Sequence, residues 1–251
     1  MQKYILSLLM ILISTALKAE EARPIQPDPE DEDLRVETPA PNVKDFLKDI
    51  GNFHKINVIN SVNVVYTHST DTLGHVAYST TPELAESIFI SNNKGDLKIE
   101  IDGENVDFSK LPTIYVSSPM VDRVVNNGDF NVRIESDAKV ENFTARLAGN
   151  GSIVVSNLDA EYVNARIVTG MGTIIISGKC DDADFRMAGT GTIQADMLKA
   201  TDVTCQYVGG GSISTYPLNN LTAKGIGSTR IHYRGNPKIK HRGGGKLIPN
   251  N

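Results

Sequence analysis

Acidic side chains in one short stretch are the first candidates for chemistry in this sequence. Asp181, Asp182 and Asp184 lie close together, and Asp159 and Glu161 precede them. Paired carboxylates in a cleft cleave glycosidic bonds, and carboxylates also bind Ca²⁺. A solvated acidic turn explains the same residues, and neither an EF-hand nor a calcium-binding nonapeptide is present. We therefore predict no catalytic residue, no metal and no cofactor. A polysaccharide lyase or glycosidase with a cleft near Asp181–Asp184 is the alternative function.

Positive charge is concentrated near the end of the sequence. No acidic residue follows Asp202, whereas seven lysines and arginines do. Basic residues on a terminal strand discourage end-to-end association of sheets, which is the interpretation we favour. The alternatives are binding of anionic glycans or of lipid A-like phosphates, or docking of an acidic segment. The residues that would contact such a ligand are Arg230, Arg234, Lys238, Lys240 and Arg242.

Nucleophilic and metal-ligating residue types are sparse. Cys180 lies beside aspartates in an expected loop, and Cys205 matches the apolar position of Phe185 in the preceding repeat. We therefore predict two free thiols, one of them buried. The five histidines show no ligand spacing and are interpreted as isolated surface residues. Aromatic residues do not interleave with basic ones, so we expect no nucleic-acid partner.

The acidic stretch, the basic end and both cysteines lie within or beside a repeated sequence motif. The motif is Gly-x-Gly followed by Ser or Thr and then by alternating apolar and polar residues. Successive first glycines are 16 to 21 positions apart. Alternation rich in β-branched residues predicts strands, and a repeat of this length predicts a solenoid. Glycine allows a sharp turn with positive φ, and no phosphate-binding motif follows it. The repeat glycines are Gly149, Gly151, Gly170, Gly172, Gly189, Gly191, Gly209, Gly211, Gly225 and Gly227, and Gly128 is aligned with Gly151 as a worn copy.

The alternation also predicts which side chains point inward. Ile153, Ile174, Ile193 and Ile213 occupy the same place in consecutive repeats. Stacking of equivalent parallel strands would place them in one column down the interior.

The N-terminal part of the chain is different in composition. Residues 1–19 combine Lys3 with an apolar run and small residues, which predicts a signal peptide and therefore export. Residues 20–41 are acidic and rich in proline, which predicts a disordered tether. Residues 42–251 are predicted to form a single domain. It would begin with a short helix, because Val43, Phe46, Leu47 and Ile50 follow helical spacing after Asn42.

Several stretches resemble the putative auto-transporter adhesin, head GIN domain family of secreted bacterial proteins. They are FHKINVINSVNVVYTHS from residue 53, PELAESIFISNNKGDLKIEI from residue 82, TIYVSSPMVDRVVNNGDFNV from residue 113, and the Gly-x-Gly-[Ser/Thr]-Ile phrases. The resemblance covers roughly residues 50–248. It implies an all-β fold, a right-handed parallel β-helix with less regular N-terminal strands. It also implies a Bacteroidetes-type exported protein, and it carries over no catalytic residues.

We therefore expect an exported, non-enzymatic β-helix that acts as an adhesin or as a binding or structural module. Its location would be the periplasm, the cell surface or the extracellular space. Outward rows of Ser, Thr, Gln and Arg would contact a cell-surface glycan or an envelope protein. No transmembrane segment is expected, because the apolar run near the N-terminus is short.

Overall fold

The alternating residues of each repeat form strands that stack in parallel, as the sequence predicts. The computed structural model describes residues 42–71, 74–103, 106–136 and 138–250. These residues form a single 17-stranded sheet, wound into a β-solenoid of about six turns. The predicted fold class is therefore confirmed. The predicted signal peptide (1–19) and acidic tether (20–41) lie outside the described residues.

Strands account for most of the secondary structure, and helices are minimal. In the described residues a four-residue helix, α1 (Pro82–Ala85), begins after the cap Thr81, and a 3₁₀ turn spans Phe108–Lys110. The strands are β1 (Lys44–Asp49), β2 (Lys55–Ile59), β3 (Val64–His68), β4 (His75–Thr80), β5 (Ile88–Asn93), β6 (Asp96–Ile101), β7 (Ile114–Ser118), β8 (Arg123–Asn126), β9 (Asn131–Glu135), β10 (Lys139–Ala148), β11 (Ser152–Thr169), β12 (Thr173–Gly189), β13 (Thr192–Gly209), β14 (Ser212–Gly227), β15 (Arg230–Tyr233), β16 (Lys238–Gly243) and β17 (Lys246–Pro249).

Each full coil has three faces. The first face follows the glycine turn, where β7, β3, β9, the starts of β11 to β14, β15 and β17 stack in parallel. A narrow face follows, and it ends at a corner where two adjacent residues, such as Asp181 and Asp182, are both exposed. The last face is formed by β6, β2, β8, the ends of β10 to β14, and β16. We call it the basic face, for the outward residues Arg146, Arg166, Arg186, Lys224 and Arg242.

The core is a stack of inward apolar side chains along the solenoid axis. Ile153, Ile174, Ile193 and Ile213 pair in register on the first face and are fully buried. On the basic face, Phe185 pairs with Cys205, as the spacing predicts. The inward column predicted from alternation is therefore confirmed.

The glycines of the repeat satisfy two different backbone requirements. The first glycine takes positive φ at the turn, for example 114° at Gly189. The second glycine lies against the coil below, because a Cβ at Gly191 would be 2.7 Å from the carbonyl oxygen of Gly172 and 2.9 Å from the Ile167 side chain. A side chain at this second position would force neighbouring coils apart.

Two glycines that the sequence aligns with the repeat, Gly225 and Gly128, are shifted by two residues in the structure. Gly209 pairs with Gly227, while Gly225 pairs with Tyr207 on the inward side of the basic face. Gly128 lies beneath Gly149 instead of Gly151, since a Cβ on Gly149 would be 2.6 Å from the Gly128 carbonyl oxygen. The coil from β14 to β15 lacks the second glycine, and Thr229 is buried there.

The predicted helix after Asn42 is wrong. Residues 44–49 form β1, which pairs antiparallel with β4, and β4 pairs antiparallel with β7 at the N-terminal edge of the first face. The Phe46 ring stacks on Tyr78 with centroids 5.0 Å apart, whereas Leu47 is exposed. Backbone hydrogen bonds along the whole of β4 stabilise these residues as a strand. The helical pattern is weak, because its apolar residues would have no core to pack against.

A hairpin closes the N-terminal edge of the basic face. β5 pairs antiparallel with β6 through a turn in which Lys94 and Gly95 both have positive φ. The turn contains only these two residues, because the strands extend to Asn93 and Asp96. Positive φ at both central residues is typical of the two-residue turn that matches strand twist.

Candidate binding face

The acidic stretch does not form a cleft of converging carboxylates. Asp181 and Asp182 are exposed at the corner before the basic face, whereas Asp184 lies on that face and is buried. Asp159 pairs in register with Lys179 and forms an ion pair with it at 2.9 Å. Within the described ranges, no group of three or more His, Cys, Asp or Glu side chains is arranged to hold a metal ion.

The cysteines and histidines also differ in part from expectation. Cys180 and Cys205 are both free and buried, so the loop expected at Cys180 is wrong: it lies within β12, on an inward position. His75 is buried, with Nδ1 2.7 Å from a carboxylate oxygen of Asp49, so it is not an isolated surface residue. His54 likewise pairs with Asp122 at 2.9 Å. Both contacts join segments that are far apart in the sequence.

The structure distributes the five predicted ligand-contact residues over two faces and a corner. Arg230 begins β15 on the first face, one coil before β17, and Arg234 directly follows that strand and forms an ion pair with Asp196 at 3.0 Å. Lys238 is registered with Asn220 at the corner, while Lys240 and Arg242 lie on the basic face. The terminal cations therefore do not form one site, although Arg242 joins a larger one.

That larger site is a column of five outward cations and Gln206 on the basic face. Register places Arg146 beside Arg166, Arg166 beside Arg186, Arg186 beside Gln206, Gln206 beside Lys224 and Lys224 beside Arg242. Neighbouring strands are about 4.8 Å apart, so the column is about 24 Å long. We call these six residues the cation column.

Most of the column lacks a neutralising partner. In the described part of the chain, Arg146, Arg166, Lys224 and Arg242 form no ion pair with a carboxylate, and Arg146 donates to Asn127 Oδ1 at 3.0 Å. From β8 to β16, seven cations and one anion point outward on this face, a net charge of +6 in a chain whose net charge is −5. The molecule is therefore strongly polarised. The outward charges are Arg123, Arg146, Arg166, Asp184, Arg186, Lys224, Lys240 and Arg242.

Asp184 is the one anion among them, and its carboxylate is occupied. Its Oδ2 accepts hydrogen bonds from Arg186 Nη2 at 2.6 Å and Nε at 3.1 Å. Tyr162 and Gln206 approach the same carboxylate at 3.5 Å. The hydrogen bonds that Arg186 donates to Asp184, together with the negative charge of that carboxylate, raise the pKa of the Arg186 guanidinium. Asp184 thus fixes one arginine in place, and its lone pairs are not directed at an open cleft.

A row of exposed aliphatic residues runs beside the cation column. Ala188 pairs with Val208, and Val208 pairs with Ile226, two residues beyond the column on each strand. Val168 occupies the equivalent place on β11, and the exposed fractions of Val208 and Ile226 are 62% and 74%. We call Val168, Ala188, Val208 and Ile226 the aliphatic row. A shallow groove of about 250 Å³ runs between column and row across β11, β12 and β13.

The sequence did contain a signal for the cation column. Arg146, Arg186 and Gln206 each stand three residues before the first glycine of a repeat, and Lys224 stands three before Gly227. Arg166 stands four before its glycine, because the register shifts by one residue after Leu147. Outward arginines were expected, but their alignment into one column was not predicted. The wrong alignment of Gly225 and the register shift after Leu147 make the spacing between column residue and glycine irregular in the sequence.

The fold and these faces define a parallel β-solenoid with chemically distinct sides. Residues 52–237 match the family described as putative auto-transporter adhesin, head GIN domain, and the chain belongs to that family. A comparison with curated proteins gave no match. Among the described residues, none of the helices is long and apolar enough to traverse a membrane.

Solved structures of low sequence identity share the fold. A putative adhesin from Bacteroides fragilis NCTC 9343 superposes with a TM-score of 0.75 at 22% identity, covering 84% of this chain and 99% of that one. A putative lipid binding protein from Parabacteroides distasonis ATCC 8503 has a TM-score of 0.66 at 21% identity, covering 84% and 97%. A putative adhesin from Parabacteroides merdae ATCC 43184 has a TM-score of 0.61 at 22% identity, covering 82% and 95%.

Proposed function

We propose that this chain is an exported, non-enzymatic adhesin of the bacterial cell envelope that binds an anionic partner through its basic face. The observation that carries the proposal is the cation column on the central strands of the sheet. The family to which the chain belongs, and the putative adhesin from Bacteroides fragilis described above, support a binding role. The lysine-led apolar segment of residues 1–19 supports export.

The placement of the column argues for binding instead of edge protection. Like charges directly opposite each other on neighbouring strands destabilise a sheet. Arg146, Arg166 and Arg186 lie on β10, β11 and β12, which are paired on both sides and have no edge to protect. An anionic ligand would offset this repulsion by neutralising several cations at once.

The catalytic alternative receives no comparable support. Cleavage of an acidic polysaccharide needs carboxylates that converge beneath a groove. Asp184 is held by Arg186, and Asp181 and Asp182 are exposed at a corner. Arginine and aliphatic residues line the groove on this side together with Met187, Gln206 and Tyr207. Among the described residues no carboxylate lines it, which suits retention of an anion more than its hydrolysis.

Retention on dextran sulfate resin under a salt gradient tests the proposal. The triple variant Arg166→Glu, Lys224→Glu, Arg242→Glu removes unpaired cations from the column. We expect the wild-type protein to be retained at low salt and this variant to elute in the flow-through.

A matched control reverses the same number of charges elsewhere. Arg230 and Lys246 are exposed on the last two coils of the first face, and Lys238 is exposed at the corner where β16 begins. The variant Arg230→Glu, Lys238→Glu, Lys246→Glu should elute close to the wild-type position. Equal loss in both triple variants would show that net charge alone controls retention, and the proposal would then be wrong.

A further inference from the structure

The aliphatic row requires a partner that is not only anionic. Single exposed apolar residues are ordinary on a protein surface, but a contiguous set marks an interaction site. Val168, Ala188, Val208 and Ile226 take the same position on four consecutive coils and lie directly beside the cation column. A purely ionic ligand would leave this row in water.

The basic face offers no exposed aromatic ring between the corner and the glycine turn on which a sugar could stack. In the described residues from β10 to β16, its outward positions there hold charged, amide, hydroxyl, small and aliphatic side chains. Tyr207 is buried beneath the groove, and Tyr162 lies at the corner with its hydroxyl 3.5 Å from Asp184. The whole chain contains no tryptophan. Sugar rings commonly stack on aromatic side chains, so a glycan fits this face less well than a ligand with phosphates and acyl chains.

Arginine and aliphatic residues side by side match the interface of an anionic bilayer. Guanidinium groups bind phosphate oxygens through two parallel hydrogen bonds. Valine and isoleucine side chains bury themselves at the boundary between headgroups and acyl chains. The strands hold both sets in a rigid plane, so little conformational entropy is lost when the face is covered.

We propose that the basic face lies flat on an anionic phospholipid bilayer, with the cation column on lipid phosphates and the aliphatic row at the headgroup–acyl boundary. The solenoid axis would then lie parallel to the membrane plane, and the first face and the narrow face would remain in solvent. This inference rests on the proposed function and names the partner of that same face.

Vesicle sedimentation tests the charge requirement. Vesicles of phosphatidylglycerol and phosphatidylcholine should bind the protein, and vesicles of phosphatidylcholine alone should not. Each cation near an anionic surface contributes to affinity, so Arg166→Glu, Lys224→Glu, Arg242→Glu should weaken binding about 100-fold or more. The control Arg230→Glu, Lys238→Glu, Lys246→Glu should bind within a few-fold of wild type, and circular dichroism should show that both variants remain folded.

A second variant tests the aliphatic row without a change in charge. Val208→Ser together with Ile226→Ser should weaken vesicle binding about tenfold, while elution from dextran sulfate stays unchanged. Unchanged vesicle affinity in this variant would overturn the bilayer inference, because simple charge attraction would then suffice.

Because the protein lacks tryptophan, a single introduced tryptophan reports insertion directly. The fluorescence of Val208→Trp should shift to shorter wavelength when anionic vesicles are added. Gln194→Trp, at an exposed outward position of the first face, should show no shift. The same result at both positions would contradict the proposed orientation.

The two proposals fail separately in these experiments. Retention on dextran sulfate without binding to anionic vesicles would overturn the bilayer inference and leave an anionic partner of another kind. A glycan array at low and high salt would then identify an anionic glycan as that partner. Absence of retention on dextran sulfate would overturn both proposals.

Discussion

Arg166 and Arg186 occupy directly facing positions on adjacent parallel strands of the basic face. The carboxylate of Asp184 binds Arg186, whereas Arg166 faces Arg146 on its other side and forms no ion pair in the described part of the chain. Arg166 is thus a cation between two cations. Such an arrangement costs stability in the free protein.

Removal of this charge should stabilise the free protein. We expect Arg166→Gln to raise the free energy of unfolding by about 0.5 kcal/mol, because two repulsive contacts are relieved. Urea denaturation at low salt measures the change. Arg133→Gln is the matched control, since Arg133 lies between Val65 and Val154 and has no facing cation. A loss of stability in Arg166→Gln would show that Arg166 makes a favourable structural contact.

The second glycine of the repeat should be intolerant of any side chain. Gly191→Ala would place a Cβ 2.7 Å from the Gly172 carbonyl oxygen and should destabilise the protein by about 2 kcal/mol. Gly210→Ala is the control in the next turn, because its Cβ would meet only the Ser228 hydroxyl at 3.2 Å. Thermal denaturation should separate the two variants, and equal stabilities would refute the close-stacking explanation.

The inward isoleucine column should not accept a polar group. Ile193 is fully buried, so Ile193→Asn should cost roughly 3 kcal/mol or more. Gln194 is the next residue and points outward, so Gln194→Asn should change stability little. Unchanged unfolding of Ile193→Asn in urea would argue against an inward position for this residue.

The predictable part of this fold depends on local repetition. Alternation alone identifies Ile193 as inward, and counting from the glycines matches Cys205 with Phe185, since every complete coil repeats the same steric demands. Gly225 was misaligned because the last coils differ in length, and only strand pairing shows that it faces Tyr207. The Tyr207 ring fills the space that the missing side chain leaves there.

Long-range pairing accounts for the remaining errors. β1 becomes a strand because β4 offers it a partner about thirty residues away, which no local pattern encodes. The cation column likewise exists only after register brings Arg146, Arg166 and Arg186 together. The charges that sequence reasoning singled out at the C-terminus are contiguous in the chain, but the solenoid separates Arg230 from Arg242 by placing them on different faces.

The two cysteines should make stability depend on alkaline pH. Burial, with the charges of Asp181 and Asp182, raises the pKa of the Cys180 thiol to about 12 from an ordinary value of 9.0, and burial also raises the pKa of Cys205. The unfolded chain ionises first, so the stabilising contribution is complete below pH 9 and is lost as pH rises toward 12.

We therefore expect the melting temperature to fall over that pH interval. The double variant Cys180→Ala, Cys205→Ala should show a smaller fall, and neither thiol of the native protein should react with Ellman's reagent at neutral pH. Rapid modification before unfolding would contradict the burial of these thiols.

A substitution at Asp184 tests whether the basic face binds a partner or catalyses a reaction. Asp184→Asn keeps the side-chain volume but removes the one anion among the outward charges of β8 to β16, so Arg186 gains freedom to contact a ligand. We expect tighter binding to anionic vesicles, by about fivefold, and later elution from dextran sulfate. A carbohydrate-active enzyme that used this carboxylate would instead lose turnover on an acidic polysaccharide.

The matched control for this variant is Asp182→Asn, which makes the same charge change at the exposed corner. It should leave vesicle binding nearly unchanged, because it lies off the basic face. Weaker binding in Asp184→Asn would mean that the carboxylate orders Arg186 for its ligand more than it competes with that ligand. Polysaccharide cleavage by the wild-type protein that both substitutions abolish would replace the adhesin proposal with the catalytic alternative.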